Sequence, residues 1–114
     1  MKNKSNNIVC ETSLGGSKYW YKNGKYHRGG DLPAVEYPNG SKRWYKNGKC
    51  HRDGDLPAVK YPDGTKLWYK NGSLHRDGGN PAIVFSDGSV EYWYKGKQYP
   101  SGLEILILEK ANEK

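Results

Sequence analysis

Short runs in which bulky and polar side chains alternate, punctuated by Asn-Gly and Asp-Gly dipeptides, pattern most of the chain. Lys18-Tyr19-Trp20-Tyr21-Lys22, Lys42-Arg43-Trp44-Tyr45-Lys46 and Lys66-Leu67-Trp68-Tyr69-Lys70 each lead into Asn-Gly, at Asn23-Gly24, Asn47-Gly48 and Asn71-Gly72. Asn-Gly between β-rich runs is the strongest short hairpin signal, because both central residues of a type I′ turn need positive φ. Residues 41–46 therefore read as a strand that turns at Asn47-Gly48 into a short strand over 49–52. Residues 53–57 read as a loop, since Pro57 offers no ladder donor and Gly54 relaxes the backbone. A further strand is expected over 58–61, turned by Pro62-Asp63-Gly64 into the next copy.

The pattern repeats in phase. The Trp-Tyr-Lys-Asn-Gly run recurs every 24 residues from Trp20 to Trp44 to Trp68, and an eroded copy opens at Trp93-Tyr94-Lys95-Gly96, 25 residues further on. His-Arg recurs at His27-Arg28, His51-Arg52 and His75-Arg76, and Pro-Ala at Pro33-Ala34, Pro57-Ala58 and Pro81-Ala82. Internal periods of this length mark stacked supersecondary units. The expectation is an all-β chain: an antiparallel meander of tandem 24-residue β-hairpin repeats forming a single twisted sheet, with a C-terminal capping segment. Within one repeat domain spanning 1–114, residues 1–15 form an N-terminal cap strand. Full repeats occupy 16–39, 40–63 and 64–87, a partial repeat 88–100, and a cap and tail 101–114.

Strand alternation assigns the faces. Arg43 with Tyr45, Tyr19 with Tyr21, Leu67 with Tyr69 and Tyr92 with Tyr94 share one face, a Tyr and Leu ladder read as the core. Lys42, Trp44 and Lys46 share the other, where Trp between lysines suits cation–π contact and partial exposure. At the ends, 8–13 reads as a degenerate opening strand. The run 103–110 is the one strongly apolar stretch; periodicity does not separate helix from strand there, and a strand closing the sheet is preferred. The charged residues 109–114 are expected to be solvated and frayed.

Composition adds that 34% of residues are hydrophobic, with the apolar surface concentrated in ten Tyr and four Trp, while fifteen Gly and six Pro supply turns. A formal charge of +7 favours anionic partners or serves solubility. Cys10 and Cys50 form no CxxC pair or zinc spacing, and Cys50 stands where other copies carry Tyr26 and Leu74, as a small apolar packing residue. Residues 1–7 lack the apolar stretch of a secretory signal, and no run approaches the ~20 apolar residues that cross a bilayer. A cytoplasmic, reducing setting is expected.

The unit Tyr-x-Asn-Gly-x-x-His-x-x-Gly with its Tyr-Pro-Asp-Gly turn resembles a variant of the MORN repeat, itself a short β-hairpin repeat, over about residues 16–97. The His-Arg-x-x-Gly-x-Pro-Ala version is similar to repeats in uncharacterised phage, viral and bacterial proteins. It departs from the common pattern in placing Arg after the His, where Gly is usual, and in adding Pro-Ala. The resemblance implies a twisted single-layer sheet used for protein or lipid contact and assembly, and no catalytic residue.

The candidate ligand-binding residues are His27, His51 and His75, Arg28, Arg52 and Arg76, and Trp20, Trp44, Trp68 and Trp93. Stacked copies should set His toward one face and Arg toward the other. A row of Arg is a phosphate or carboxylate clamp; alternatively each Arg pairs with a loop acid and each His holds a loop carbonyl. The Trp row is a stacking platform for bases or sugars, or else packing between copies. No GxSxG, P-loop, HExxH or GxGxxG is present. No catalytic residue, cofactor or metal is expected, the three His lying too far apart to share an ion. The reading is a non-catalytic binding module, with a phage-type sequestering or inhibitor protein preferred, whose basic, aromatic sheet holds an anionic, nucleotide-like small molecule or an acidic protein surface. A structural repeat that oligomerises through its sheet edge or 103–108 is the alternative. A homo-oligomer is expected under either; nucleic acid ranks lower, and binding to an anionic membrane surface lower still.

Overall fold

A computed structural model describes residues 7–113; positions 1–6, within the opening stretch 1–7, and Lys114 of the tail lie outside the described residues. The strands are β1 (Ile8–Thr12), β2 (Lys18–Lys22), β3 (Lys25–Tyr26), β4 (Val35–Glu36), β5 (Lys42–Arg43), β6 (Tyr45–Lys46) and β7 (Lys49–Cys50). They continue as β8 (Val59–Lys60), β9 (Lys66–Leu67), β10 (Tyr69–Lys70), β11 (Ser73–Leu74), β12 (Ile83–Val84), β13 (Val90–Tyr94) and β14 (Lys97–Tyr99), followed by helix α1 (Gly102–Ala111). All pairings are antiparallel. The main sheet runs β1-β2-β4-β5-β8-β9-β12-β13-β14 with β3 attached to β2, while β6-β7 and β10-β11 form separate hairpins. The result is a slab of 48 × 37 × 19 Å.

The expected strand over 41–46 and its counterpart over 66–70 each fork at the Trp, while β2 runs unbroken through Trp20. The Trp44 N–H donates to the Ala58 carbonyl and the Trp44 carbonyl accepts from His51 N–H, so β5 belongs to the main sheet and β6 to the hairpin. Asn23, Asn47 and Asn71 have φ of 55°, 52° and 51°, and the glycines after them are positive too, as type I′ turns demand. Successive hairpins are linked by Gly48 N–H to Tyr26 O and Gly72 N–H to Cys50 O, at 2.9 and 2.8 Å.

The fourth copy keeps the 24-residue spacing of the turn. Lys95 (φ 53°) and Gly96 take the Asn-Gly place, and Gly96 N–H bonds Leu74 O. Tyr92 therefore stands where the other copies have Trp. Trp93 falls on the tyrosine face instead, where its Nε1 donates to Glu91 two residues back, at 2.9 Å. This corrects the expectation that Trp93 continues the Trp row and that Tyr92 and Tyr94 continue the Tyr ladder: the turn, not the Trp-Tyr pair, sets the register.

The core is two thin rows, one per face. On one side Ala34, Ala58 and Ala82 are fully buried along the Trp row, with Trp44 and Trp68 only 7% and 8% exposed. Alanine is needed at 34 and 58 because an indole lies on each flank, and at 82 because Trp68 lies on one flank and Tyr92 on the other. On the other side Val35, Val59 and Ile83 are buried, and the Tyr rings around them, stacked from Tyr19 through Tyr26 to Tyr45, are half-buried. The Tyr and Leu ladder is thus only part of the core, and the Trp row is the better buried.

The apolar run after Pro100 is helical, against the preferred strand. Pro100 ends β14, Glu104 and Lys110 suit the helix dipole, and Ile105 is fully buried while Leu103 and Ile107 stay exposed. Gly79 meets the helix start so closely that a Cβ there would lie 2.8 Å from both the Gly102 carbonyl oxygen and Leu106 Cγ. Glu109, expected in a frayed tail, accepts the Gly78 N–H at 3.0 and 3.2 Å. Among the described residues no helix is long and apolar enough to cross a membrane.

Candidate binding face

The loops between β3 and β4, β7 and β8, and β11 and β12 project over the Trp side of the sheet. Each carries an Arg whose guanidinium lies flat on the Trp of its own copy: Arg28 on Trp20 at 3.6 Å, Arg52 on Trp44 and Arg76 on Trp68 at 3.8 Å. Stacking of this kind is attractive because the ring face is electron-rich. The same guanidinium donates to a carbonyl in its own loop, that of Pro33, Pro57 or Pro81, at 3.0–3.2 Å. Its remaining edge reaches into the preceding copy. Arg52 forms a two-point pair with Asp31 at 2.9 and 3.2 Å, and Arg76 with Asp55 at 2.9 and 3.3 Å. Those aspartates sit at φ of 57° and 56°, a left-handed conformation that Asp tolerates, and their carbonyls accept Nε1–H of Trp44 and Trp68.

The histidines link copies in the opposite direction. Nδ1 of His27, His51 and His75 accepts a backbone N–H from the next hairpin, at Asn47, Asn71 and Lys95, over 2.9–3.2 Å. Nε2 of His51 and His75 donates to Asp53 and Asp77 at 2.7 Å. His and Arg do not separate to opposite faces: both lie outside the strand ladder, where alternation no longer applies, and both line grooves between successive loops. One groove, of about 220 Å³, lies among His27, Arg28, Trp44 and Arg52; the other, of about 420 Å³, among His51, Arg52, Trp68 and Arg76. Trp20, Trp44 and Trp68 come together in one row with the Arg row above it, while Trp93 stands apart on the other face. Among the described residues no three His, Cys, Asp or Glu side chains converge as metal ligands would.

The first copy is incomplete. Gly29 replaces the aspartate that meets His51 and His75, and Asn7 occupies the place 24 residues before Asp31. Arg28 turns to Glu36 at 3.3 Å instead. His27 has its pKa lowered from the ordinary 6.5 by partial burial, then by Lys22 and Lys46. Between that lowered value and 6.5 the unfolded chain binds more protons than the folded one, so stability falls as pH drops through this window and levels off below it. A melting-temperature series from about pH 8 to about pH 5 should show that decline, and His27→Gln should flatten it. Asp31, held below the usual carboxylate range by the Arg52 hydrogen bonds, and Asp53, held down by His51, add a second loss in acid.

Alternation along single strands puts Lys42 on the Trp side but does not reveal that it heads a row of lysines across strands. Register places Lys42 directly opposite Lys60, and Lys60 opposite Lys66; Lys18 lies beyond, separated from Lys42 by Glu36. No salt bridge engages Lys42, Lys60 or Lys66 among the described residues, whereas Lys46 and Lys70 reach Asp53 and Asp77 at 3.9 and 4.0 Å. The signal was present in the sequence, because Lys60 and Lys66 flank a hairpin turn at 62–64. Comparison with protein-family models, with curated proteins and with solved structures finds no match to the chain.

Proposed function

We propose that the protein is a non-catalytic binding module that holds an anionic partner on the lysine-bearing side of its sheet. The observation that carries this reading is the Lys42–Lys60–Lys66 row. Like charges directly opposite each other across strands destabilise a sheet by roughly 0.2–1 kcal/mol per pair, and a sheet built only for solubility would alternate their signs. The grooves beside the row do not favour a dedicated small-molecule pocket, since their Arg and His groups are already bonded within the protein. The partner that fits is one presenting several phosphates or carboxylates in line: a nucleotide-like polyphosphate or an acidic protein surface, as a sequestering or inhibitory protein of the phage type would engage. The MORN-like character of the unit supports contact rather than chemistry. A cytoplasmic setting suits Cys50, whose thiol is pushed up to about 11 by burial, and so stays protonated and unreactive.

Calorimetric titration with inorganic polyphosphate tests the proposal. Lys60→Glu should weaken binding at least about tenfold, since it replaces attraction by repulsion at the centre of the row, and raise the melting temperature by a few degrees, since it relieves two Lys–Lys contacts. Binding that is absent, or indifferent to both Lys60→Glu and added salt, overturns it.

A further inference from the structure

The opposite side of the sheet carries a separate feature. Arg43 lies at its middle between Val35 and Val59. Its Nε is buried without a hydrogen-bond partner, alone in this respect among the described side chains; its guanidinium has only tyrosines for company, Nη2 donating to the Tyr61 hydroxyl at 3.4 Å and Cζ lying 6.0 Å from the centre of the Tyr37 ring. Arg28, Arg52 and Arg76 each have a carboxylate; Arg43 has none among the described residues. A buried charged donor left unpaired is costly. On the same face Glu91 accepts one hydrogen bond, from Trp93, and has no cationic partner among the described residues. We propose that this face docks a second copy of the chain, about a two-fold axis running along β9 over Leu67.

The register supplies the argument. Arg43, Val59, Leu67, Ile83 and Glu91 form one row across β5, β8, β9, β12 and β13. Arg43 and Glu91 are each two strands from Leu67, on opposite sides. Rotation about an axis along β9 sets Leu67 over its own image, Val59 over Ile83, and Arg43 over Glu91, twice per dimer. The flanking residues match as well: Tyr61 meets Phe85, and Tyr45 meets Trp93. The five-residue row and these two flanking pairs are then apolar, aromatic or paired with the opposite charge. The alternative axis, across the strands, would set Arg43 on Arg43 and is excluded by repulsion. Helix α1 does not obstruct, because it packs against Gly79 and Tyr92 on the other side. Phe85, 36% exposed in the single chain, would be covered. Two such sheets stack about 10 Å apart.

Sedimentation and native mass spectrometry of the full chain decide the matter. The wild type should be a dimer; Arg43→Glu alone and Glu91→Arg alone should each raise the dissociation constant at least about a hundredfold, because each creates two like-charge contacts. Mixing those two variants should restore a one-to-one dimer, and the doubly exchanged chain should dimerise with itself. Leu67→Lys, which sets lysine on lysine at the axis, should also give a monomer, and serves if Arg43→Glu does not fold. Lys60→Glu, on the other face, should leave the mass unchanged, so failure here and failure of the anion-binding proposal are told apart. A monomeric wild type, or a dimer that survives Leu67→Lys and is not rescued by the charge exchange, overturns the inference.

Discussion

Arg52→Ala is expected to cost about 3 kcal/mol of folding stability, a fall in melting temperature on the order of 10 °C for a chain of this size. One guanidinium covers Trp44, caps the Pro57 carbonyl and makes both bonds to Asp31. Its removal bares an indole that is now 7% exposed and leaves the carbonyl without its donor. Arg28→Ala should cost markedly less, because Arg28 lacks the two-point aspartate and has only the 3.3 Å contact to Glu36. Arg52→Lys should recover less than half of the loss, since an ammonium cannot reproduce the fork or lie flat on the ring. Thermal unfolding of the three variants gives this ranking directly. If the Arg row served a ligand and not the fold, all three would melt with the wild type.

The second large effect is at Gly79. Aspartate at this position is what the two earlier copies carry, at Asp31 and Asp55, and φ of 71° at Gly79 is close to theirs. Backbone conformation therefore does not forbid Gly79→Asp. The helix does: the new Cβ would sit 2.8 Å from the Gly102 carbonyl and Leu106 Cγ. Undocking α1 exposes Ile105 and releases Glu109 from Gly78, for an expected loss of about 2–5 kcal/mol, the range for emptying a buried aliphatic site. Far-UV circular dichroism should lose its helical component at a temperature where the wild type retains it. Unchanged helicity and melting would show that the helix does not depend on this contact.

Much of the fold could be read from short-range chemistry. Asn47-Gly48 and Asp63-Gly64 are local signals, so the meander, the turns and the opening strand over Ile8–Thr12 follow from a few residues each. Trp93 was misplaced because two repeated features disagreed by one residue, and the hydrogen-bonded turn at Lys95-Gly96 prevailed over the resemblance of side chains. The run after Gly102 has apolar residues on every side, so its choice of helix over strand rests on the long-range contact with Gly79. The site was less legible. Asp31 and Arg52 lie 21 residues apart and belong to different copies, and nothing local announces that the brace skips a loop. The isolation of Arg43 and the clustering of Lys42, Lys60 and Lys66 emerge only once strand register is known.

The Arg-to-Asp links all point one way along the chain, from each copy back to the one before it. A duplicated 24-residue segment inserted between the second and third copies would bring one acceptor and one donor, so neither neighbour would lose a contact. Such a molecule can change length by whole modules through simple gene duplication, growing its charged row stepwise.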